Sequence, residues 1–376
     1  ESPASANSPA NSATDKNRGM TTLFDEVRFA HGPSMSNRFM LAPLTNSQSN
    51  ADGTLSDVEH HWLTMRAEGG FGLTMTCAAH VQAVGQGFPG QLGTFSDDHI
   101  PGLARLAHDI KKHHSLAIVQ LHHAGNRSPK ELVGTPVCPS DDPATGARAL
   151  TTAEVEQLVE DFISAAVRCE KAGFDGVELH GAHGYVIAQF LSPEINQRTD
   201  QYGGSLANRS RVLFDIIDGI RARTGSDFNL SVRLSPERFG LRTAEIVEVY
   251  TRLVDEAKVD FIDMSLWDVT KNGVEDDYKE TQLIDVFAGI PRGDVKLAVA
   301  GKLYSAADCR FALEHGADFV AVGRGAILHH DFPRLCSADE NFAVRALPVT
   351  RATLHEEGLS DTFIAYMGNW PGFVAD

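Results

Sequence analysis

The stretch Gly176-Val177-Glu178-Leu179-His180-Gly181-Ala182-His183-Gly184-Tyr185 passes from a short apolar run into two imidazoles and a phenol. A second apolar segment, 186–191, follows at once. Polar side chains so placed belong at the C-terminal end of a buried strand, and in a barrel of parallel strands that end carries the chemistry. A histidine pair and a tyrosine put hydrogen-bond donors and a proton donor close together. Their meaning therefore depends on whether the rest of the chain builds such a barrel.

Working outward, eight short apolar runs alternate with helical patterns: 39–43, 73–77, 116–121, 176–180, 229–234, 261–265, 296–300 and 319–322. Each is near-continuously apolar, as expected for parallel strands covered on both faces. The helices between them carry start signals. Ser56-Asp57-Val58-Glu59 and Thr151-Thr152-Ala153-Glu154 are capping-box patterns. Helices are predicted over 205–224, 243–257 and 305–315, the second with an apolar face at Ile246, Val249, Tyr250, Leu253 and Val254. Strand–helix alternation argues for a parallel α/β sheet, and the count of eight argues for a closed (β/α)8 TIM barrel, a single domain with extended βα loops. Long segments after strands, 45–55, 82–96, 122–150 and 192–204, are read as the loops that carry the site.

Of the 376 residues, 42% are hydrophobic and 22% charged, ordinary for a globular chain. A net charge of −17 disfavours nonspecific contact with nucleic acid or an anionic membrane. No apolar stretch approaches the roughly 18 residues of a membrane span. The five cysteines are scattered, odd in number and form no C-x-x-C, which argues against a disulfide framework or a thiolate zinc site and for a reducing, cytoplasmic setting. Residues 1–19 read as a flexible tail, 20–346 as the barrel, and 347–376 as an aromatic C-terminal tail. Phe363, Tyr366, Trp370 and Phe373 in that tail predict packing on the barrel or on a partner, with a homodimer left open.

Two late loops suggest a phosphate site. Ala300-Gly301 ends strand seven, and Gly323-Arg324 follows strand eight. Glycines there let backbone N–H groups approach an anion, and Arg324 adds charge-assisted bonds; the alternative is a pair of tight turns. No G-x-G-x-x-G follows a strand, so a Rossmann domain is unsupported. Arg233, within strand five, needs an anionic or polar partner, either a ligand or a structural ion pair. Gln120 is a second polar residue ending a strand. His180 and His183 are alternatively metal ligands, but no H-E-x-x-H or fixed carboxylate accompanies them, so no metal site is assigned. His122-His123 and His113-His114 read as surface or loop residues.

Several separated stretches together resemble the Old Yellow Enzyme family of FMN-dependent ene-reductases, the NADH:flavin oxidoreductases. They are Asn37-Arg38-Phe39-Met40-Leu41-Ala42-Pro43-Leu44-Thr45, Gly90-Gln91-Leu92-Gly93, Gln120-Leu121-His122-His123-Ala124-Gly125, the opening stretch, and Gln189-Phe190-Leu191-Ser192-Pro193 with Asn196 through Ser205. The resemblance implies a bound FMN across the barrel mouth and NADPH or NADH as transient reductant. Its phosphate would lie on Ala300, Gly301, Gly323 and Arg324. Its ring would meet Ala42, Pro43, Leu44, Thr45, Ala78, Gln120 and Arg233, with Arg233 at the edge where negative charge develops and Thr45 at the C4=O edge. It further implies that His180 and His183 grip a carbonyl or nitro oxygen, and that Tyr185 protonates the α-carbon while flavin N5 delivers hydride to the β-carbon, in a ping-pong cycle on an activated alkene such as an enone.

Some family members carry a C-terminal iron–sulfur cluster and a further flavin domain; no matching cysteine run occurs here, so these are expected to be absent. Two rivals stand beside this reading: a metal-dependent barrel hydrolase or lyase using the histidines, and a non-catalytic flavin-binding protein. The natural substrate and the choice between NADH and NADPH are not legible.

Overall fold

Residues along the strands of this protein alternate between two environments, and that alternation builds both core and site. The computed structural model describes residues 21–375, so the tail read over 1–19 lies outside them. The barrel strands are β1 Phe39–Leu41, β2 Leu73–His80, β3 Leu116–His122, β4 Gly176–Gly181, β5 Asn229–Leu234, β6 Phe261–Ser265, β7 Lys296–Ala300 and β8 Phe319–Val322. All pair in parallel with their sequence neighbours, and β1 closes on β8 with Met40 opposite Ala321. The result is the closed (β/α)8 barrel that the apolar runs predict.

Outward-facing Val119, Leu121, Val177, Leu179, Val232 and Ile262 join the main apolar core under the helices. Inward-facing Met40, Leu73, Met75, Ile118, Phe261 and Phe319 form a second, separate cluster. Phe29 seals its N-terminal end, with its ring 5.6 Å from Phe261 and 6.0 Å from Phe319. Higher in the lumen, between β3 and β6, the inward positions turn polar: Gln120, Glu178, Ser231, Arg233 and Asp263 are all buried. The polar residues of the runs therefore gather mainly on the inner face, with Thr74 and Thr76 of β2 as outward exceptions.

The main helices around the barrel are α1 Asp57–Glu68, α2 Ile100–Lys111, α3 Thr152–Lys171, α4 Arg211–Arg223, α5 Thr243–Glu256, α6 Leu283–Ala288 and α7 Ala306–Glu314. At α3 the capping box is reciprocal: the Glu154 N–H donates to the Thr151 hydroxyl at 3.2 Å, and the Thr151 N–H to the Glu154 carboxylate at 2.8 Å. At α1 only half of the expected box forms. Ser56 accepts from the Glu59 N–H at 3.1 Å, but the Glu59 carboxylate turns inward to Asn46, Ser49 and Cys77. Burial outweighs those bonds and raises the Glu59 pKa. The helix predicted over 205–224 breaks at Ser210 into Leu206–Arg209 and α4.

At the C-terminus, α8 Arg351–Glu356 and α9 Asp361–Met367 lie against the barrel. Phe363 of α9 is fully buried with its ring 5.3 Å from that of Trp62 in α1. This contact carries Tyr366 and Trp370 to the barrel mouth. Among the described residues no helix is long and apolar enough to cross a membrane, and all five cysteines are buried and free.

Candidate active site

The C-terminal ends of the strands open into two adjoining cavities of about 470 and 300 Å³. They share Pro43, Leu44, His183, Arg233, Trp267 and Arg324. The larger receives Thr45, Ala78, Gln120, His180 and Tyr185; the smaller receives Ala42, Ala300, Gly301 and Gly323. Every site residue predicted from the sequence thus lines one cavity or both. A more voluminous groove of about 760 Å³ lies beside Arg198 and Asp200 and contains none of them.

Register explains the convergence. A shift in the β2–β3 pairing between Met75 and Ala78 sets Ala78 level with Gln120. Gln120 then faces Glu178 across β4, and His180 faces Arg233 across β5. Beyond β4 the backbone turns sharply, with His183 at φ 59° and Gly184 at φ 71°. A left-handed histidine is uncommon and is held by its surroundings. Its N–H donates to the Ser235 hydroxyl at 2.9 Å, and its carbonyl accepts from Arg127.

The two histidines are near-perpendicular, with centroids 5.2 Å apart, and the Tyr185 ring stands 5.0 Å from His180. The Ala182 N–H donates to His180 Nδ1 at 3.3 Å, which places the His180 proton on Nε2. His183 Nε2 lies 2.7 Å from the Ser265 hydroxyl, leaving its Nδ1 for another partner. Burial lowers both imidazoles well below the usual range, and the Arg233 charge lowers them further. Both are therefore neutral, each able to donate one hydrogen bond.

Beneath them lies a buried charged network. Gln120 Nε2 donates to Glu178 at 2.9 Å, Ser231 to the other Glu178 oxygen at 3.3 Å, and Arg233 lies 3.0 Å from Asp263. Two carboxyl groups share one guanidinium. Burial raises both acids; Asp263 raises Glu178 further, while Arg233 opposes the shift in each. Arg233 pairs with Asp263, so Glu178 is the group that keeps its proton.

His122 and His123 correct the sequence reading. Both are buried, not surface residues. His122 accepts from Gln91 on Nδ1 at 3.0 Å, leaving a buried, unpartnered Nε2–H in the cavity, with its ring 4.4 Å from Tyr185. His123 is driven down to about 3 by burial. Arg127, whose guanidinium lies 4.8 Å over the Tyr185 ring, Arg238 and Trp267 line the cavity and were missed, and Tyr366 and Trp370, expected only to pack on the barrel or on a partner, line it too. Tyr366 lies beside Thr45, and burial raises its phenol. The adjacency of two histidines at the end of β3 was a usable signal for His122; the aromatic tail marked Tyr366 for packing but not for the mouth. Among the described residues no group of three His, Cys, Asp or Glu side chains is arranged to hold a metal ion.

Residues 22–340 match the profile of the NADH:flavin oxidoreductase / NADH oxidase family. The chain is 38% identical over 317 residues to the probable NADH-dependent flavin oxidoreductase YqiG of Bacillus subtilis (strain 168), covering 80% of this chain and 84% of that one. It is 33% identical over 342 residues to the NADH:fumarate oxidoreductase of Klebsiella pneumoniae (strain 342), covering 86% of this chain but only 37% of that longer protein. Among solved structures it is similar to the old yellow enzyme homologue from Zymomonas mobilis, with TM-score 0.77, 28% identity, and coverage of 91% of this chain and 99% of that one.

Proposed function

Because the chain belongs to the NADH:flavin oxidoreductase / NADH oxidase family, the Old Yellow Enzyme family, and is an NAD(P)H-dependent flavin oxidoreductase, we propose that it reduces activated carbon–carbon double bonds with Tyr185 as proton donor. The observation that carries this is the meeting of His180, His183 and Tyr185 in one cavity with Thr45, Gln120 and Arg233.

The residues present suit FMN. A Cβ added to Gly323 would meet only Leu44 Cδ2, at 3.6 Å, so packing does not require glycine there; its absence of a side chain leaves room beside Ala300, Gly301 and Arg324. Arg324 forms no carboxylate pair among the described residues and is free to meet a phosphate. Arg233 suits the ring edge where negative charge develops. When bound, FMN supplies a hydride drawn from NADH or NADPH.

The chain's own groups do the rest. His180 Nε2–H and a His183 N–H donate to the carbonyl or nitro oxygen of the alkene, drawing electron density from its β-carbon. Being neutral, they hydrogen-bond without protonating it. The Tyr185 hydroxyl gives a proton to the α-carbon and is reprotonated from solvent. Overall, NAD(P)H, a proton and the alkene give NAD(P)⁺ and the saturated product.

Anaerobic titration with NADH and NADPH, followed by reoxidation with enones, nitroalkenes and maleimides, tests the reaction. Tyr185→Phe is expected to slow alkene-dependent reoxidation by about 10²–10⁴-fold and reduction by NADPH far less. Equal slowing of both half-reactions would remove the proton-donor role.

A further inference from the structure

The chain carries a formal charge of −17, yet the larger mouth cavity is lined by four arginines, Arg127, Arg233, Arg238 and Arg324, and by no Asp or Glu. A single-sign cluster in a cleft focuses potential against the field of the whole molecule and concentrates anions there. Three of the four have other occupations. Arg233 pairs with buried Asp263. Arg127 donates to the His183 carbonyl and covers Tyr185, so it positions the catalytic loop. Arg324 is assigned above to the cofactor phosphate.

Arg238 has none of these duties. Its guanidinium stacks 4.5 Å from the Trp267 ring and 5.6 Å from Phe239, and among the described residues it forms no ion pair. The backbone holding it is strained: Arg238, Phe239 and Gly240 follow one another at φ 70°, 55° and 74°, and Trp267 faces them at φ 68°. Trp267 is 59% exposed, a large apolar ring kept at the rim of the cavity. Stacked guanidinium groups keep their in-plane N–H donors for an anion.

We propose that Arg238, held by Trp267 and Phe239, is a specificity-determining anion seat, and that the substrates are flat conjugated carbonyl compounds bearing a second, anionic group away from the activating carbonyl. This rests on the ene-reductase reading. The anion is not the activating group, because hydride addition already places negative charge on the held oxygen, and a carboxylate there would gather a second charge. The aromatic walls, Phe88, Phe239, Trp267 and Trp370, take the planar body. The seat takes the remote carboxylate.

The test uses the FMN-loaded enzyme with 4-oxo-4-phenylbut-2-enoate and its methyl ester. Wild type and Arg238→Gln are compared, with Arg238→Lys as the charge-retaining control. The quantity read is the acid-to-ester ratio of kcat/KM, in which intrinsic electrophilicity cancels between variants. A charge-assisted bond at a screened rim predicts that Arg238→Gln lowers this ratio about tenfold, through KM and not kcat, with most of it kept in Arg238→Lys. The wild-type ratio should also fall as salt rises.

An unchanged ratio overturns the proposal. So does a fall in the NADPH-to-NADH preference of Arg238→Gln with the acid-to-ester ratio intact, which would assign the seat to the 2′-phosphate of the reductant. Binding of the saturated acid and ester, followed by flavin absorbance, gives a readout without turnover. A preference for the acid that disappears in Arg238→Gln, in an enzyme that reduces neither alkene, would uphold the seat and sink the ene-reductase reading instead.

Discussion

Gln189 touches no part of the open cavity, yet its replacement by Leu is expected to disable the site. It lies fully buried on the short helix Val186–Leu191 that follows the loop carrying His183 and Tyr185. Its Nε2 reaches the Gly184 carbonyl at 2.8 Å, the Asn126 side-chain oxygen at 2.8 Å and the Ala124 carbonyl at 3.1 Å, while its Oε1 accepts from the Asn126 N–H at 3.1 Å. One amide thus ties the loop after β3 to the loop carrying His183 and Tyr185. Gly125 is shaped to it: a Cβ there would come within 2.1 Å of the Gln189 oxygen. An amide has two protons, so it satisfies at most two of the three acceptors fully. Three net bonds at about 1 kcal/mol each, plus the desolvation cost of carbonyls left bare, come to roughly 3–5 kcal/mol. Leu fills a similar volume, so little of this is a cavity effect. Since domains are stable by about 5–15 kcal/mol, the variant is expected to fold, with the loss felt in the loop. A displacement of about 1 Å at the reacting groups costs on the order of 10²-fold in rate. Stopped-flow reoxidation of the reduced enzyme by an enone reads the rate, and urea unfolding reads stability. A variant within twofold of wild type in rate, with the same urea midpoint, would refute the bracing role.

Replacing His180 or His183 by Ala is expected to weaken binding of a carbonyl ligand about tenfold each, the scale of one neutral hydrogen bond, with FMN retained; spectral titration with a phenol or enone checks it, and undiminished affinity would remove the carbonyl grip. Glu178, raised by burial, contributes stability that is complete below the ordinary carboxyl range near pH ~4.3 and is lost as pH climbs toward its raised value, by up to about 1.4 kcal/mol per pH unit. Glu178→Gln keeps the neutral shape and should gain on wild type steadily above that range; parallel urea-midpoint profiles from pH 5 to 9 would sink the assignment of the proton to Glu178. Phe363→Ala should cost about 3–5 kcal/mol and free α9 from Trp62. Proteolysis within 361–367 should then accelerate and the alkene KM rise, and an unchanged digestion pattern would argue against this anchoring of the mouth.

Much of the architecture was legible because outward-facing strand positions are apolar in nearly all the runs, Thr74 and Thr76 of β2 being polar exceptions. Four strand ranges, 229–234, 261–265, 296–300 and 319–322, agree with the structure at both ends. Less legible were the places where a polar residue finds a distant partner. Glu59 had the spacing of a capping box, but buried donors at Asn46, Ser49 and Cys77 outcompeted the helix N-terminus. The 73–77 run continues to His80 because Thr94 and Leu92 bond its backbone ends, contacts made across a loop. His122 looked superficial beside His123, although both sit where β3 leaves the lumen. Tyr366 was marked only as part of an aromatic tail expected to pack on the barrel or on a partner, since its place at the mouth depends on Phe363 docking on a helix from the other end of the chain. Residue type was readable along each strand; partnership across strands and from the C-terminus was not.

The same partnerships explain why the site holds one charge state through the neutral pH range. His80, His122, His180 and His183 are all lowered chiefly by burial, and the last three also by nearby cationic groups, so none gains a proton near neutrality. Glu178 is raised by the same burial and stays protonated, while Asp263 is balanced by Arg233. What remains charged along the larger cavity is arginine, which does not titrate in proteins. A cavity built this way offers hydrogen-bond donors to a ligand oxygen without itself becoming an acid at the wrong atom. Tyr185, the proposed proton donor, is flanked by His122, His180 and Arg127, while burial raises the Tyr366 phenol in the same cavity. The histidines and arginines around it are neutral or permanently charged, so a proton given to a bound ligand would come from a phenol, and we assign that role to Tyr185.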